Sequence, residues 1–382
     1  MNPISYGKRI IQKKVNKIYL NHYLKNGKVD SLENVCDEGI LETKWSYRDA
    51  CCYVESRSAW EVKDNIDLSV IIPLYNSEKF LEKCIGRFTA QKTDYKFEVI
   101  LVNDGSKDNT YQHAKEYQNQ YGEWLVVLNQ ENQGISCARN AGIRAARGRY
   151  LSFVDHDDLV DERFVEKLMS VAYKEDADIV KAAHAKVVDG KIKQVYEQTD
   201  EIIMGQMGSK LLQYAGYIFP GVYKRELFEH VNFPEKYWYE DMIVRMILYR
   251  QATKFVHISD VLYYKQFHSG NAFEVVWNDK NSKCLEQLYL VINLIETSHK
   301  LRLQDDAWFY RCVLREFSTI FYQRIKNLDE QTKQMAFLKA CKVLDGLYKS
   351  EYSEMLNEKD SLWHRAFSQK EYTLWVLLGG QA

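Results

Sequence analysis

The chain lacks a net charge to speak of. Its 52 lysines and arginines stand against 53 aspartates and glutamates in 382 residues, so nothing draws the whole molecule toward nucleic acid or another polyanion. It lacks cysteines spaced for a metal. Eight are scattered, none forms a CxxC, and the adjacent Cys51 and Cys52 make no ligand motif. Isolated cysteines in a chain this long read as reduced and mostly buried, which predicts a reducing, cytoplasmic setting. No run approaches the roughly 18 apolar residues of a membrane span. The longest candidate, Leu374 to Gly380, is far shorter. No apolar stretch follows the early lysines, so no secretory leader is expected. There is no internal repeat and no low-complexity tract. What remains, 46% hydrophobic and 27% charged, is the composition of an ordinary folded protein. Its length suits about two to three domains.

Charge is uneven along the chain. Residues 1–29 hold Lys8, Arg9, Lys13, Lys14, Lys17, Lys25 and Lys28 and no acid, with Ile11, Val15, Ile18 and Tyr19 at helical spacing. Such a helix could lie on an anionic membrane as a peripheral contact. It could equally dock on its own protein with solvated lysines, and that reading is slightly favoured. Residues 1–66 as a whole read as a helical extension.

From Leu68 the pattern changes. Apolar runs at 68–72, 97–102, 124–128 and 150–154 alternate with amphipathic stretches at 77–91, 108–121 and 134–147. Continuous apolar strands between amphipathic helices predict an α/β fold with a mostly parallel sheet covered by helices on both faces. Later the pattern turns mixed. Strands are expected at 178–183, 218–223, 255–258 and 261–265, a hairpin turn at Asp189-Gly190, and a helix over 241–251. From 278 to the end the period is helical.

Ligands of such sheets bind beyond the carboxyl ends of the strands. After the first strand come Pro73, Tyr75 and Glu78, with an aromatic face able to stack on a base and Ser77 as a helix N-cap. After the second comes Asn103-Asp104-Gly105-Ser106, where Asp104 could accept a ring N–H. Arg139 lies in the third helix, with a phosphate contact and a structural ion pair as even alternatives. After the fourth strand comes Asp155-His156-Asp157-Asp158. Crowded carboxylates are costly unless a cation relieves them. Oxygen ligands suit Mg2+ or Mn2+, and these in turn suit a diphosphate. Glu240-Asp241 then precedes an apolar helix, where the pair either complements the helix dipole or supplies a general base.

These residues resemble the inverting, nucleotide-sugar-binding family 2 glycosyltransferases, of GT-A-type fold, over about residues 67–270. The matching text is SVIIPLYNSE from Ser69, VILVNDGSKD from Val99, NQGISCARNAG from Asn132 and FVDHDD from Phe153, followed by the late acid pair. The resemblance implies Pro73, Tyr75 and Asp104 around a nucleobase, uracil by preference, with Glu78 at the same end. Arg139, Asp155 and His156 would complete the nucleotide-sugar site. It implies a metal, Mn2+ or Mg2+, on Asp157 and Asp155, with His268 as a further ligand. Asp241 would be the catalytic base, oriented by Glu240. The chain departs from the family at Asn103, where an acid is frequent, and at His156, where a small residue is.

The implied enzyme is a hexosyltransferase moving sugar from a UDP-sugar to a glycan or lipid-linked glycan acceptor in surface polysaccharide synthesis, in the cytoplasm or at the inner face of the membrane. A non-catalytic scaffold on the same fold is the alternative. A nucleotidyltransferase is disfavoured, because residues 73–78 hold no glycine for a phosphate loop. Residues 271–382 read as a helical region without catalytic motif. There Cys284, Leu288, Val291 and Ile295 are expected in the core. Trp308, Trp363 and Trp375 are core by default, although they could also pack a homo-oligomer.

Overall fold

The computed structural model describes residues 16–25, 32, 41, 47–55, 57, 65–267 and 282–381. The chain forms two compact units: Ala50–Asn271 with Thr297–Leu303, and Met1–Asp49 with Ala272–Glu296 and Gln304–Ala382.

The first unit opens with β1 (Leu68–Leu74), α1 (Glu78–Thr89), β2 (Phe97–Asp104), α2 (Thr110–Tyr121), β3 (Leu125–Gln130), α3 (Ile135–Ala145) and β4 (Tyr150–Phe153). It continues through β5 (Leu159–Val160), α4 (Phe164–Glu175), β6 (Ile179–Val188), β7 (Lys191–Tyr196), β8 (Glu201–Met204), β9 (Gly221–Lys224) and β10 (Lys254–Phe267). The strands make one sheet in the order β3-β2-β1-β4-β9-β6-β10-β5, with β7 on β6 and β8 on β10. β1 to β4 are mutually parallel, and the far half is mixed. β1 is buried along its whole length, as a strand covered on both faces must be. α3 packs on it at Gly142, where a Cβ would come within 2.4 Å of Ile71.

Sequence order reverses between β1 and β4. That reversal opens a crevice beyond their carboxyl ends.

Several expected boundaries move. Proline does not end β1, which runs one residue past Pro73 to Leu74. Alternate residues of a strand address the same neighbour. The Ile71 carbonyl accepts from Val154 N–H at 3.1 Å, so Pro73 also faces the β4 side. The last β1–β4 pair is Ile71 with Phe153, so the missing N–H falls where the ladder has ended. The two late strands are one, β10, with register shifts between Ile258 and Tyr263. The Asp189-Gly190 turn is present, with φ of 51° and 72° as a type I′ hairpin needs. The expected helix at 241–251 forms from residue 242 and contains a π-helical stretch, Val244–Leu248.

The helical reading of 1–66 needs correction at its end. Residues 50–54 are non-helical and lie beside 230–235, with Cys51 at φ 52°, a single antiparallel bridge between Tyr53 and Val231, Val54 N–H on His230 O at 3.1 Å, Asn232 N–H on Cys52 O at 2.9 Å and Glu235 N–H on Ala50 O at 2.8 Å. The local run Cys-Cys-Tyr-Val suits a pleated strand better than a helix.

The second unit is helical. Residues 16–25 form a helix that docks on its own unit: Asn16 Nδ2 donates to Gly380 O at 2.8 Å and Tyr23 OH to Glu371 at 3.0 Å, with Leu20 buried between. That is the docked alternative, with Ile18 and Tyr19 facing out. The basic residues 8–14 and Lys28 lie outside the described residues. α5 (Glu286–Lys300), α6 (Ala307–Arg315), α7 (Glu330–Leu347), α8 (Glu358–Ser368) and α9 (Tyr372–Gly379) follow. Cys284, Leu288, Val291 and Ile295 are core, as are Trp363 and Trp375. Trp308 is half-buried beneath the Arg311 guanidinium, 4.7 Å from its ring. Among the described residues no helix is long and apolar enough to cross a membrane.

Candidate active site

The loops after β1 and β2 form one frame. Asn76 N–H donates to Ser106 Oγ at 3.0 Å, and Lys107 N–H to Asn76 Oδ1 at 2.8 Å. Glu78 accepts from Asn109 N–H at 3.2 Å and from its amide group at 3.1 Å. Ser77 holds the N-cap position without capping its helix. Its hydroxyl instead accepts from Tyr75 N–H at 3.0 Å and its own N–H donates to Thr110 Oγ1 at 2.7 Å. The frame leaves Pro73 buried and the Tyr75 ring 42% exposed at its rim.

Asp104, at the end of β2, is 4% exposed and ties the next loop to this frame. It accepts from Gln133 N–H at 2.9 Å, Gly134 N–H at 2.8 Å and Gln130 Nε2 at 2.7 Å. A carboxylate has about four acceptor positions, so one is left for a further donor. Gly105 permits the close pass, since a Cβ there would sit 2.6 Å from Asn132 N, and its φ is +65°.

β4 ends at the acidic loop. Asp158 is buried and is the loop's anchor rather than its reactive end. It accepts from Tyr263 OH at 2.7 Å and Gln266 N–H at 2.7 Å. Burial, then Asp155, pushes its carboxyl well above the usual range. Tyr263 OH also accepts from Asp155 N–H at 3.2 Å, so β10 clamps the loop twice. Asp155, His156 and Asp157 stay half-exposed, and His156 packs on Phe80 with ring centroids 5.7 Å apart.

Arg139 joins this loop to the late acid pair. Its guanidinium, 2% exposed, lies 3.1 Å from Asp155, 2.8 Å from Glu240 and 3.5 Å from Asp241. Of the two readings for Arg139, the ion pair is the one its contacts realise. Burial works against its charge, and Glu240, Asp241 and Asp155 overcome that and raise its pKa. For Asp155 burial pulls upward, but Arg139 and Lys265 prevail and hold its carboxyl below the ordinary value. Asp241 goes the other way. Burial first, then the Glu240 charge, raises it to about 7 against the pull of Arg139. Its Oδ1 is buried without a hydrogen bond, while the side chain as a whole keeps 29% exposure. Tyr239, immediately before the pair, has φ +67°, an uncommon conformation for a bulky residue. Backbone strain of this kind gathers at sites where surrounding structure enforces it.

The carboxylates fit a small hard cation. Among the described residues no three His, Cys, Asp or Glu side chains converge as a cage. Mg2+ ordinarily uses one or two carboxylates and completes its shell with phosphate oxygens and water, so the half-exposed Asp157 beside Asp155 is a suitable donor set. His268 lies outside the described residues.

With this geometry in hand, comparison with known proteins is direct. A family model described as glycosyl transferase family 2 matches residues 69–230. The chain is 31% identical over 233 residues to the uncharacterized glycosyltransferase EpsJ of Bacillus subtilis (strain 168), covering 58% of this chain and 67% of that protein. It is 32% identical over 228 residues to glycosyltransferase GlyG of Streptococcus pneumoniae serotype 4, covering 55% and 75%. The chain belongs to glycosyltransferase family 2. The crystal structure of S. aureus TarS 1-349 in complex with UDP-GlcNAc shares the fold of this glycosyltransferase, with a TM-score of 0.64 at 21% identity over 82% of this chain and 90% of that one.

Two members of the glycosyltransferase's site were not foreseen from sequence: Tyr263 and Lys265, both on β10. Burial disfavours the Lys265 charge, but Asp155, Asp158 and Asp241 outweigh it and raise its pKa. Its ammonium also lies 4.3 Å from the Phe219 ring centroid. The available signal was a lone lysine in the apolar run Val-Leu-Tyr-Tyr-Lys-Gln-Phe.

Proposed function

We propose that this glycosyltransferase is a metal-dependent, inverting enzyme that moves a sugar from a UDP-sugar to a hydroxyl of a glycan or lipid-linked acceptor. One observation carries the reading. Asp155, at the end of β4, and Glu240-Asp241, far along the chain, meet on the single buried guanidinium of Arg139. A scaffold has no need to gather three carboxylates at a crevice mouth, one of them poised near neutrality.

In this reading Asp241 accepts the proton of the acceptor hydroxyl as that oxygen attacks the anomeric carbon. Its pKa of about 7 keeps it basic enough to take a proton while a useful fraction stays ionised. Glu240, held by Arg139, orients it. Attack from the face opposite the leaving group inverts the anomeric centre. Tyr75 stacks on the base, the remaining acceptor position of Asp104 receives a ring N–H, and Pro73 and Glu78 close that end. Asp157 and Asp155 would hold Mg2+ or Mn2+, which when bound neutralises charge on the diphosphate. The TarS complex with UDP-GlcNAc supports uridine as the nucleotide. An acceptor in surface polysaccharide, reached from the inner face of the membrane, belongs to the same proposal.

The test is nucleotide release from UDP-, GDP-, CDP- and dTDP-sugars, with Mn2+, with Mg2+ and with chelator. Release from a UDP-sugar that chelator abolishes is expected. Release unaffected by chelator would remove the metal, and release only from another nucleotide would remove uridine. UDP binding without turnover of any donor, with or without glycan acceptors, would favour the scaffold.

A further inference from the structure

Beside Asp241 the chain segment 214–219 is tied down along its main chain. Arg245 donates to Tyr214 O at 2.9 Å and Tyr249 OH to Ala215 O at 2.9 Å. Ala215 N–H donates to Glu197 at 2.8 Å. The ammonium of Lys181, a side chain only 2% exposed, donates to Tyr217 O and Phe219 O, both at 2.9 Å. A Cβ on Gly216 would lie 3.7 Å from the Asp241 carbonyl oxygen, so this segment passes directly against the residue placed as base.

A buried lysine costs free energy unless its donors are met, and here it is spent on two loop carbonyls and Tyr223 OH at 3.2 Å. The result is a rigid mount. What it carries is aromatic. Phe219 stacks on Tyr263 at 4.6 Å and 14°, and Tyr217 lies parallel to Phe219 at 5.4 Å and 5°. Tyr263 is the residue that clamps the acidic loop. Phe219 and Tyr263 are buried, but Tyr217 as a residue keeps 44% exposure. One face of the ring rests on Phe219 and its surroundings include His184, 6.0 Å away edge to face, so a half-exposed side chain is held unusually firmly for a loop.

We propose that Tyr217 is an acceptor-binding residue: its ring is a platform for the apolar face of a pyranose whose hydroxyl is presented to Asp241. The argument for the occupant is position and chemistry. Aromatic rings offer a large contact area at small conformational cost, and a sugar ring has one face of C–H groups to lay on it. The donor's nucleotide end is assigned to Tyr75 and Asp104, beyond β1 and β2, whereas Tyr217 follows Gly216, which passes the Asp241 main chain, and its ring lies 5.8 Å from the ammonium of Lys265, the lysine whose charge Asp241 supports. The inference rests on the transferase reading for the role of Asp241, but its test does not.

The experiment is ligand-observed saturation-transfer NMR on the full chain with UDP and Mn2+-free Mg2+ buffer. The probes are methyl and p-nitrophenyl pyranosides of glucose, galactose and N-acetylglucosamine. Wild type, Tyr217→Ala, Tyr217→Phe and Tyr217→Trp are compared, with UDP signals read in the same tubes. The expected result is a pyranoside bound about tenfold more weakly by Tyr217→Ala, the scale of one stacked ring, and retained by the Phe and Trp variants. UDP signals stay constant across all four. No pyranoside signal that depends on Tyr217 overturns the proposal even if UDP binds normally. Equal loss of UDP and pyranoside in Tyr217→Ala also overturns it, since the ring would then be structural. Tyr217-dependent pyranoside binding without UDP binding would uphold the platform and overturn the nucleotide reading instead.

Discussion

Arg139 Nη1 lies 2.8 Å from Glu240 Oε1 across 101 residues of sequence, and the same guanidinium holds Asp155 at 3.1 Å. One buried cation therefore sets the spacing between the acidic loop of β4 and the acid pair ahead of the 242–251 helix. Removing it should do more than delete a contact. Arg139→Met leaves three carboxylates with Lys265 as the remaining nearby cation to offset them, a cost at the lower end of about 3–5 kcal/mol for a broken buried pair. Urea unfolding should show that loss, and Arg139→Lys, whose compact ammonium lacks the spread-out fork of the guanidinium, should recover only part of it.

The pH dependence follows from Asp241. Its folded pKa is raised to about 7 from an ordinary value of 3.8, chiefly by burial and by Glu240. Transfer needs the ionised base, so kcat/KM should rise with pH along an acid limb centred near 7. The stability linkage has the opposite sense. Between these two values the folded state binds the extra proton, so this group's contribution to stability falls as pH rises and levels off above the folded value. A limb centred near 4 would mean that the Asp241 carboxyl is not raised by desolvation and Glu240, and would contradict its role as the base.

Tyr263 gives a prediction separable from nucleotide chemistry. Tyr263→Phe removes the hydroxyl that both Asp155 N–H and Asp158 use. The buried Asp158 loses one of its partners, which should cost about 1–3 kcal/mol in thermal or urea unfolding. The donor KM should rise, since the acidic loop loses its clamp, whereas acceptor KM should change little.

Asp104 should behave as a structural tie as well as a base contact. Asp104→Ala releases the main-chain N–H groups of Gln133 and Gly134, just ahead of α3, and because both residues are exposed and water can replace the carboxylate it should destabilise by only about 1 kcal/mol. Asp104→Asn keeps an acceptor oxygen and should cost less. Both should weaken UDP binding, measured by calorimetry, relative to a stability-matched variant elsewhere.

Much of this site was legible in the sequence, because its signals are local. The apolar runs of β1, β2 and β4 and the residues that follow each are contiguous text, and the switch-point rule says where they meet. What was not legible is long-range. Nothing near Arg139 announces Glu240, so the ion pair it makes could not be read from the sequence. Tyr263 and Lys265 were hidden because β10 reads as an ordinary strand, its two pieces separated by the register shift after Ile258. Pro73 reads as a strand end because the pattern does not reveal on which side the neighbouring ladder stops. Residues 50–54 read as part of a helical extension because the bonds that hold them non-helical come from distant partners at 230–235.

The most direct test of the central claim pairs two quantities for Asp241→Asn: UDP affinity by calorimetry and UDP-sugar turnover in the same buffer. The variant keeps the shape and removes the proton acceptor. The account predicts wild-type UDP affinity within about twofold, roughly 0.4 kcal/mol, with turnover lost. Turnover retained, or affinity lost in proportion to it, would contradict the assignment of Asp241 as the base.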